Sequence, residues 1–145
     1  MEFPITELLD QESSLDWLNR HFHPTGMSCP SCGQPVSAAR AFRATECSQL
    51  TTYRCAGCET VYNLYTGTVF QGRHLTPPQV VLFLRGVSKG EPSTILAREL
   101  GLSYPTVLDM RHQLQANAAQ AQPATPVPDR QTETDEMFQN AGEKK

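Results

Sequence analysis

Four cysteines stand in two tight pairs, Cys29-Pro-Ser-Cys32 and Cys55-Ala-Gly-Cys58, with residues 33 to 54 between the pairs. A turn of this length points both of its sulfurs at one place. A second such turn completes a tetrahedral thiolate cage for zinc. One pair alone could serve redox chemistry, but two at this spacing read as a structural four-cysteine site. Cys47 lies outside both pairs and reads as a small buried or neutral residue. His21, His23 and His74 are ligand types as well. With four thiolates at hand, they read as surface or interface residues. The other group able to do chemistry is Glu133-Thr134-Asp135-Glu136, three carboxylates in four residues. Paired acids can hold Mg²⁺, yet a bare charge run reads first as a solvated terminus.

These groups sit in a chain of 145 residues that is 39% hydrophobic and 8% aromatic. That leaves room for one ordinary domain or two very small ones. A bound metal would supply the stability that a module of about 40 residues cannot obtain from burial. No run of about 18 apolar residues is present, so no membrane partner is expected. Met1-Glu2-Phe3-Pro4 begins no basic-then-apolar signal. Paired thiols without an export signal fit a reducing cytoplasm and metal rather than disulfides. The net charge of −3 hides an asymmetry. Residues 25 to 115 carry eight basic side chains against five acids, while both flanks are acidic. The middle alone inclines toward phosphate, too mildly to make a DNA binder by charge.

The elements that must position the cysteines follow from pattern. Leu15, Leu18 and Phe22 share one face of a helix within Ile5–Phe22, in which Ser13 or Ser14 could cap a second helical piece. Pro24-Thr25-Gly26 breaks it, closing an N-terminal segment over 1–26. Residues 27–72 read as a zinc ribbon. Thr51–Arg54 and Val61–Tyr65 are β-prone, and the Cys55–Cys58 turn joins them as a hairpin. Gly33 supplies the positive φ that a tight knuckle needs.

Residues 75–115 are helical in character. Pro77 and Pro78 open a helix through Val80–Leu84, and Gly86 to Gly90 ends it. A second helix over Ser93–Leu100 turns Ile95, Leu96 and Leu100 inward. Gly101-Leu102-Ser103 forms a turn, with Gly101 left-handed and Ser103 the N-cap of a third helix. Val107, Met110 and Leu114 line that helix's buried stripe. This is helix-turn-helix organisation. Periodicity alone suits a packing unit without DNA equally well. What favours DNA is the hydrogen-bonding character of Tyr104, Thr106, Arg111, His112 and Gln113, with Arg98 and Lys89 placed for phosphates from the flanks. Asp109 argues against this unless it accepts from a cytosine amine or orients Arg111. Residues 116–131, rich in Ala, Gln and Pro, have linker composition.

In this order the pieces resemble the zinc-ribbon DDE transposases of bacterial insertion sequences, the ISXO-like group. The likeness runs through Ser14–Leu18 into His23–Gly33, through Tyr53–Cys58 and Tyr62–Phe70, through Lys89–Tyr104, and through Glu133–Lys144. It implies a small α+β chain: N-terminal helix, four-cysteine ribbon, three-helix helix-turn-helix, linker, and over 132–145 the first strand of a ribonuclease-H-like domain. Structural Zn²⁺ on Cys29, Cys32, Cys55 and Cys58 is implied, together with double-stranded DNA of terminal inverted repeats as partner and a homodimer. Asp135 corresponds to the family's first catalytic carboxylate, which with its partners holds Mg²⁺. Those partners would follow Lys145, so the expectation for this polypeptide is binding without cutting or joining. Two other readings stand beside it: a stand-alone regulator occupying transposon ends, and a protein-interaction module with no DNA affinity.

Overall fold

The computed structural model describes residues 10–122. The remainder of the expected linker and the acidic segment with Asp135 lie outside the described residues. The architecture is small α+β, with four α-helices and one three-stranded antiparallel sheet among the described residues.

Helix α1 spans Gln11–Phe22 as one piece. Its cap is Asp10, whose carboxylate accepts from the Ser13 N–H at 2.9 Å, so neither Ser13 nor Ser14 caps an inner start. An aspartate wins because it brings charge as well as an acceptor to the positive end of the helix. Accepting from the Ser13 N–H in turn holds the Asp10 carboxyl below its ordinary value. Ser14, Trp17 and Leu18 are buried on the inner face.

The chain then crosses the first cysteine pair and a single 3₁₀ turn, Val36–Ala38, into strand β1, Ala39–Ala44. β1 pairs antiparallel with β2, Thr51–Cys55, and β2 with the short β3, Val61–Tyr62. The β2–β3 hairpin through the second pair is the expected one, but β3 stops at Tyr62 rather than Tyr65, because Asn63 opens a turn by accepting from the Tyr65 N–H at 2.9 Å. β1 is an addition to the expected strands, since Ala-Arg-Ala-Phe-Arg-Ala has little β-branched content and no polar–apolar alternation that faces a core. A bulge between Ala41 and Arg43 leaves Phe42 as the extra residue.

Helix α2, Pro77–Ser88, opens with a full capping box. The Gln79 N–H donates to the Thr76 hydroxyl, and the Gln79 side chain accepts from the Thr76 N–H. The Gln79 amide also donates to the Leu100 carbonyl at 3.0 Å, tying the start of α2 to the end of α3, Ser93–Leu100. α2 ends at Ser88, inside the Gly86 to Gly90 stretch expected to stop it. Gly86 itself lies buried within the helix, where an added Cβ would stand 2.2 Å from Leu96 Cδ2. α2 and α3 approach closely at that point. Gly101 takes the left-handed conformation at φ 66°, and Ser103 caps α4, Tyr104–Ala121. α4 therefore runs six residues into the stretch expected as linker. Ala and Gln are strong helix formers, so the helix continues until the prolines that begin at Pro123.

One core joins these elements. Trp17 and Leu18 of α1, Leu50, Leu64, Tyr65 and Phe70 from around the sheet, and Val80, Phe83, Leu96, Val107 and Met110 of α2 to α4 pack together. Phe70 is its hub, edge-on to Phe83 at 5.8 Å and stacked on Phe22 at 5.9 Å. The Tyr65 hydroxyl donates to the Leu75 carbonyl at 3.0 Å, and burial pushes this phenol above its ordinary value, so it stays neutral. Ile95, expected to face inward, is 40% exposed. The short α3 buries Ser93, Leu96, Ala97 and Leu100 instead, a stripe that leaves Ile95 to one side. Among the described residues no helix is long and apolar enough to cross a membrane.

Candidate metal centre

The two cysteine turns are built alike, bond for bond. In the first, the Gly33 N–H donates to the Cys29 carbonyl at 3.0 Å, and the Cys29 N–H to the Gln34 carbonyl at 2.8 Å. In the second, the Glu59 N–H donates to the Cys55 carbonyl at 3.0 Å, and the Cys55 N–H to the Thr60 carbonyl at 3.0 Å. The residue after each second cysteine is left-handed, at φ 75° for Gly33 and 61° for Glu59. This repeat curls each CxxC so that both of its sulfurs face the same point.

The four Sγ atoms all lie within 4.8 Å of one another, with Cys29 to Cys58 at 3.4 Å and Cys32 to Cys55 at 3.5 Å. A tetrahedral thiolate site with metal–sulfur bonds of about 2.3 Å places its sulfurs about 3.8 Å apart. The cluster matches that size, and none of its cysteines is in a disulfide. Cys29 and Cys55 are buried while Cys32 and Cys58 are exposed, so each turn contributes one inner and one outer sulfur. Tyr62 packs over the inner pair, with Met27, Ala39 and Tyr53 around it.

The Thr60 hydroxyl, then the Thr60 N–H and the Cys29 thiol, bring Cys58 down to about 6. The Cys58 and Gly57 N–H groups lower Cys55 as well. At Cys32 the Gln34 N–H favours the thiolate, but the neighbouring Cys55, Cys58 and Cys29 sulfurs, with partial loss of water, outweigh it and push the thiol up to about 12. Some of these sulfurs ionise readily and then hold protons on the rest, because four negative charges this close repel one another. A cation at the centre removes that conflict and makes all four thiolates. The described residues could thus hold one metal ion.

A set of outer partners completes the site. The Thr60 hydroxyl is 3.1 Å from Cys58 Sγ and 3.0 Å from Ser31 Oγ. Once Cys58 is a thiolate, Thr60 donates to it and accepts from Ser31, which links the two turns. The Cys55 thiol donates to Gln34 Oε1 at 3.6 Å, a contact that a Cys55 thiolate would not keep in this orientation. Sequence reasoning missed Ser31, Gln34, Glu59 and Thr60. The matching positions after each CxxC were the available signal, hidden because one turn has Gly33 and the other Glu59.

The remaining sequence-predicted residues divide. Tyr104 is 46% exposed, and His112, Gln113, Arg98 and Lys89 are exposed too. Thr106 is half-buried at the cap, its hydroxyl 2.7 Å from Ser103 Oγ. Arg111 departs from expectation. It turns back to donate to Ser93 Oγ at 2.9 Å and to the Glu91 carbonyl, so its guanidinium braces the loop before α3 rather than facing outward. The 3.6-residue period explains this, since Arg111 follows Met110 and lies beside the Val107–Met110 stripe, where a long side chain reaches the neighbouring element. Asp109 orients Arg73 and Gln113, not Arg111. It pairs with the Arg73 guanidinium and accepts from Gln113 Nε2 at 3.0 Å, and the Arg73 bond holds its carboxyl below the ordinary value.

His21 stacks on Trp17 with ring centroids 3.9 Å apart, and His23 Nε2 meets the Leu64 carbonyl at 3.0 Å. His74 and Cys47 are exposed, and none of these four joins the cluster. Compared with family models, with curated proteins and with solved structures, the chain finds no match.

Proposed function

We propose that residues 10–122 form a zinc-ribbon and helix-turn-helix DNA-binding unit that recognises the terminal inverted repeats of an insertion sequence on behalf of a DDE transposase. The carrying observation is the exposed side of α4. Tyr104, His112 and Gln113 project from a helix that is anchored at its base by Ser103 and along its inner side by Val107 and Met110. The three-residue turn Gly101–Ser103 joins this helix to α3, and helix, short turn, helix is the order in which a recognition helix is presented to a major groove. The acid that argued against DNA, Asp109, is neutralised by Arg73. Gln113 is held by Asp109 with an amide edge able to read adenine, and His112 beside it can donate to guanine or phosphate. Lys89 and Arg98, both exposed, would supply contacts to the DNA backbone.

The ion proposed for the four thiolates is Zn²⁺, by donor softness and by tetrahedral size. Its part is structural, fixing the sheet and through Leu50 and Leu64 the base on which the helices sit. Strand cleavage is not assigned to these residues. By the resemblance it belongs with Asp135 and a Mg²⁺-holding catalytic domain.

Selection of bound duplexes from a random library by the metal-loaded chain tests the reading. One enriched sequence is expected, and H112A/Q113A should weaken its binding roughly tenfold, as removal of one or two base-edge hydrogen bonds does. An unenriched pool, or a double variant that binds the enriched site as the parent does, would sink it.

A further inference from the structure

The outer side of the β1–β2 pair carries a cluster that the reading of α4 does not use. Arg40 and Arg54 are direct cross-strand partners and so project from one face of the sheet, with Val61 next in the same row. Like charges directly opposite each other in a ladder are destabilising. The bulged Phe42 is 47% exposed, with the Arg54 guanidinium 4.2 Å over its ring and that of Arg43 at 5.7 Å. The ion pairs among the described residues involve Arg20 and Arg73, so none of these three arginines is matched by a carboxylate there. Arg54 Nε is buried and without a hydrogen-bond partner. Charges that merely guard an edge strand against pairing would need neither an exposed aromatic ring nor two arginines face to face.

We propose that this face binds single-stranded nucleic acid, with Arg40, Arg43 and Arg54 on successive phosphates and Phe42 stacked on an unpaired base. The choice of a single strand follows from Phe42. A duplex offers the arginines its phosphates but keeps its bases stacked away from a ring, whereas a single strand supplies both partners. The site is independent of the recognition helix, so either can fail alone.

Fluorescence anisotropy of the full zinc-loaded chain with a labelled 20-mer of oligo(dT), and with a duplex of equal length, tests it. The parent is expected to prefer the single strand. R40Q/R43Q/R54Q should make the slope of log affinity against log salt shallower by about 2, given roughly 0.7 per phosphate on single strands. F42A should lose roughly tenfold in affinity, the scale of one base–ring stack, with the salt slope kept. H112A/Q113A should leave oligo(dT) binding unchanged. Should the triple variant lose its sheet, R43Q and F42A, both at exposed positions, still carry the test. No binding of oligo(dT) by the parent, F42A binding as the parent does, or equal preference for duplex overturns the proposal. So does a dimer in sedimentation that the arginine variants dissolve, since that would assign the face to a second copy of the chain.

Discussion

The sheet and the helices of this molecule are held by different means. Around the cysteines the buried group is Cys29, Cys55 and Tyr62, too little apolar surface to order three short strands in water. The helical side buries Leu18, Phe70, Val80, Val81, Phe83, Val107 and Met110 almost completely. With the proposed ion on its four cysteines, one region would depend on a few strong bonds, while the other depends on dispersion and burial spread over many side chains. Taking away one sulfur therefore undoes the first region as a whole, whereas trimming one apolar side chain weakens the second only in part.

The largest effect expected from this contrast is that of metal removal. Structural zinc in small modules contributes an apparent ~10–16 kcal/mol, as much as a whole domain's stability. A strong chelator, or C29S/C55S, should therefore melt β1 to β3 while α1 to α4 remain. The single tryptophan, Trp17, is buried in the helical core and reports on it, while Tyr53 and Tyr62 report on the sheet. Loss of strand amide dispersion in NMR with Trp17 emission unchanged is the expected result. Joint loss of both would show that the two regions fold as one.

Next in size is the converse. Phe83 is fully buried against Phe70, and F83A should cost about 3–5 kcal/mol in denaturant unfolding followed by Trp17. The cobalt-thiolate absorption of a Co²⁺-loaded sample should persist under conditions in which the native state is still populated. A variant that bleaches this absorption there would mean that the sheet leans on the helices for its ligands.

The smallest effect distinguishes the two turns from each other. Glu59 occupies the left-handed position that Gly33 fills in the first turn. A side chain there costs about 1–2 kcal/mol. E59G should tighten metal binding by about 1 kcal/mol in competitive chelator titrations, and G33A should weaken it by a similar amount. Equal affinities in all three proteins would show that this backbone conformation carries no strain.

What is legible in the sequence tracks this same division. The cysteines, Gly33, the β2–β3 hairpin, Gly101 and the Ser103 cap are each fixed by local chemistry, and each is found where the pattern puts it. The departures are long-range. β1 exists because β2 offers it an edge, not because Ala39–Ala44 is a strong strand sequence. Arg111 has the side-chain type that suits DNA, yet Ser93 and the Glu91 carbonyl, far away in sequence, claim it. α2 stops within the expected Gly86 to Gly90 stretch, but what requires a glycine at position 86 is its neighbour Leu96, which local pattern does not show.

The approach of Gly86 and Leu96 also constrains how this sequence can vary. With Leu96 Cδ2 standing 2.2 Å from where a Cβ on residue 86 would lie, the two positions share one volume. A methyl group at position 86 makes the Leu96 side chain shift or give way to a smaller one. In any set of related chains that keep this helix pair, the sizes at the two sites should be inversely correlated. The trace would be readable from aligned sequences alone, without a metal, a partner or an assay.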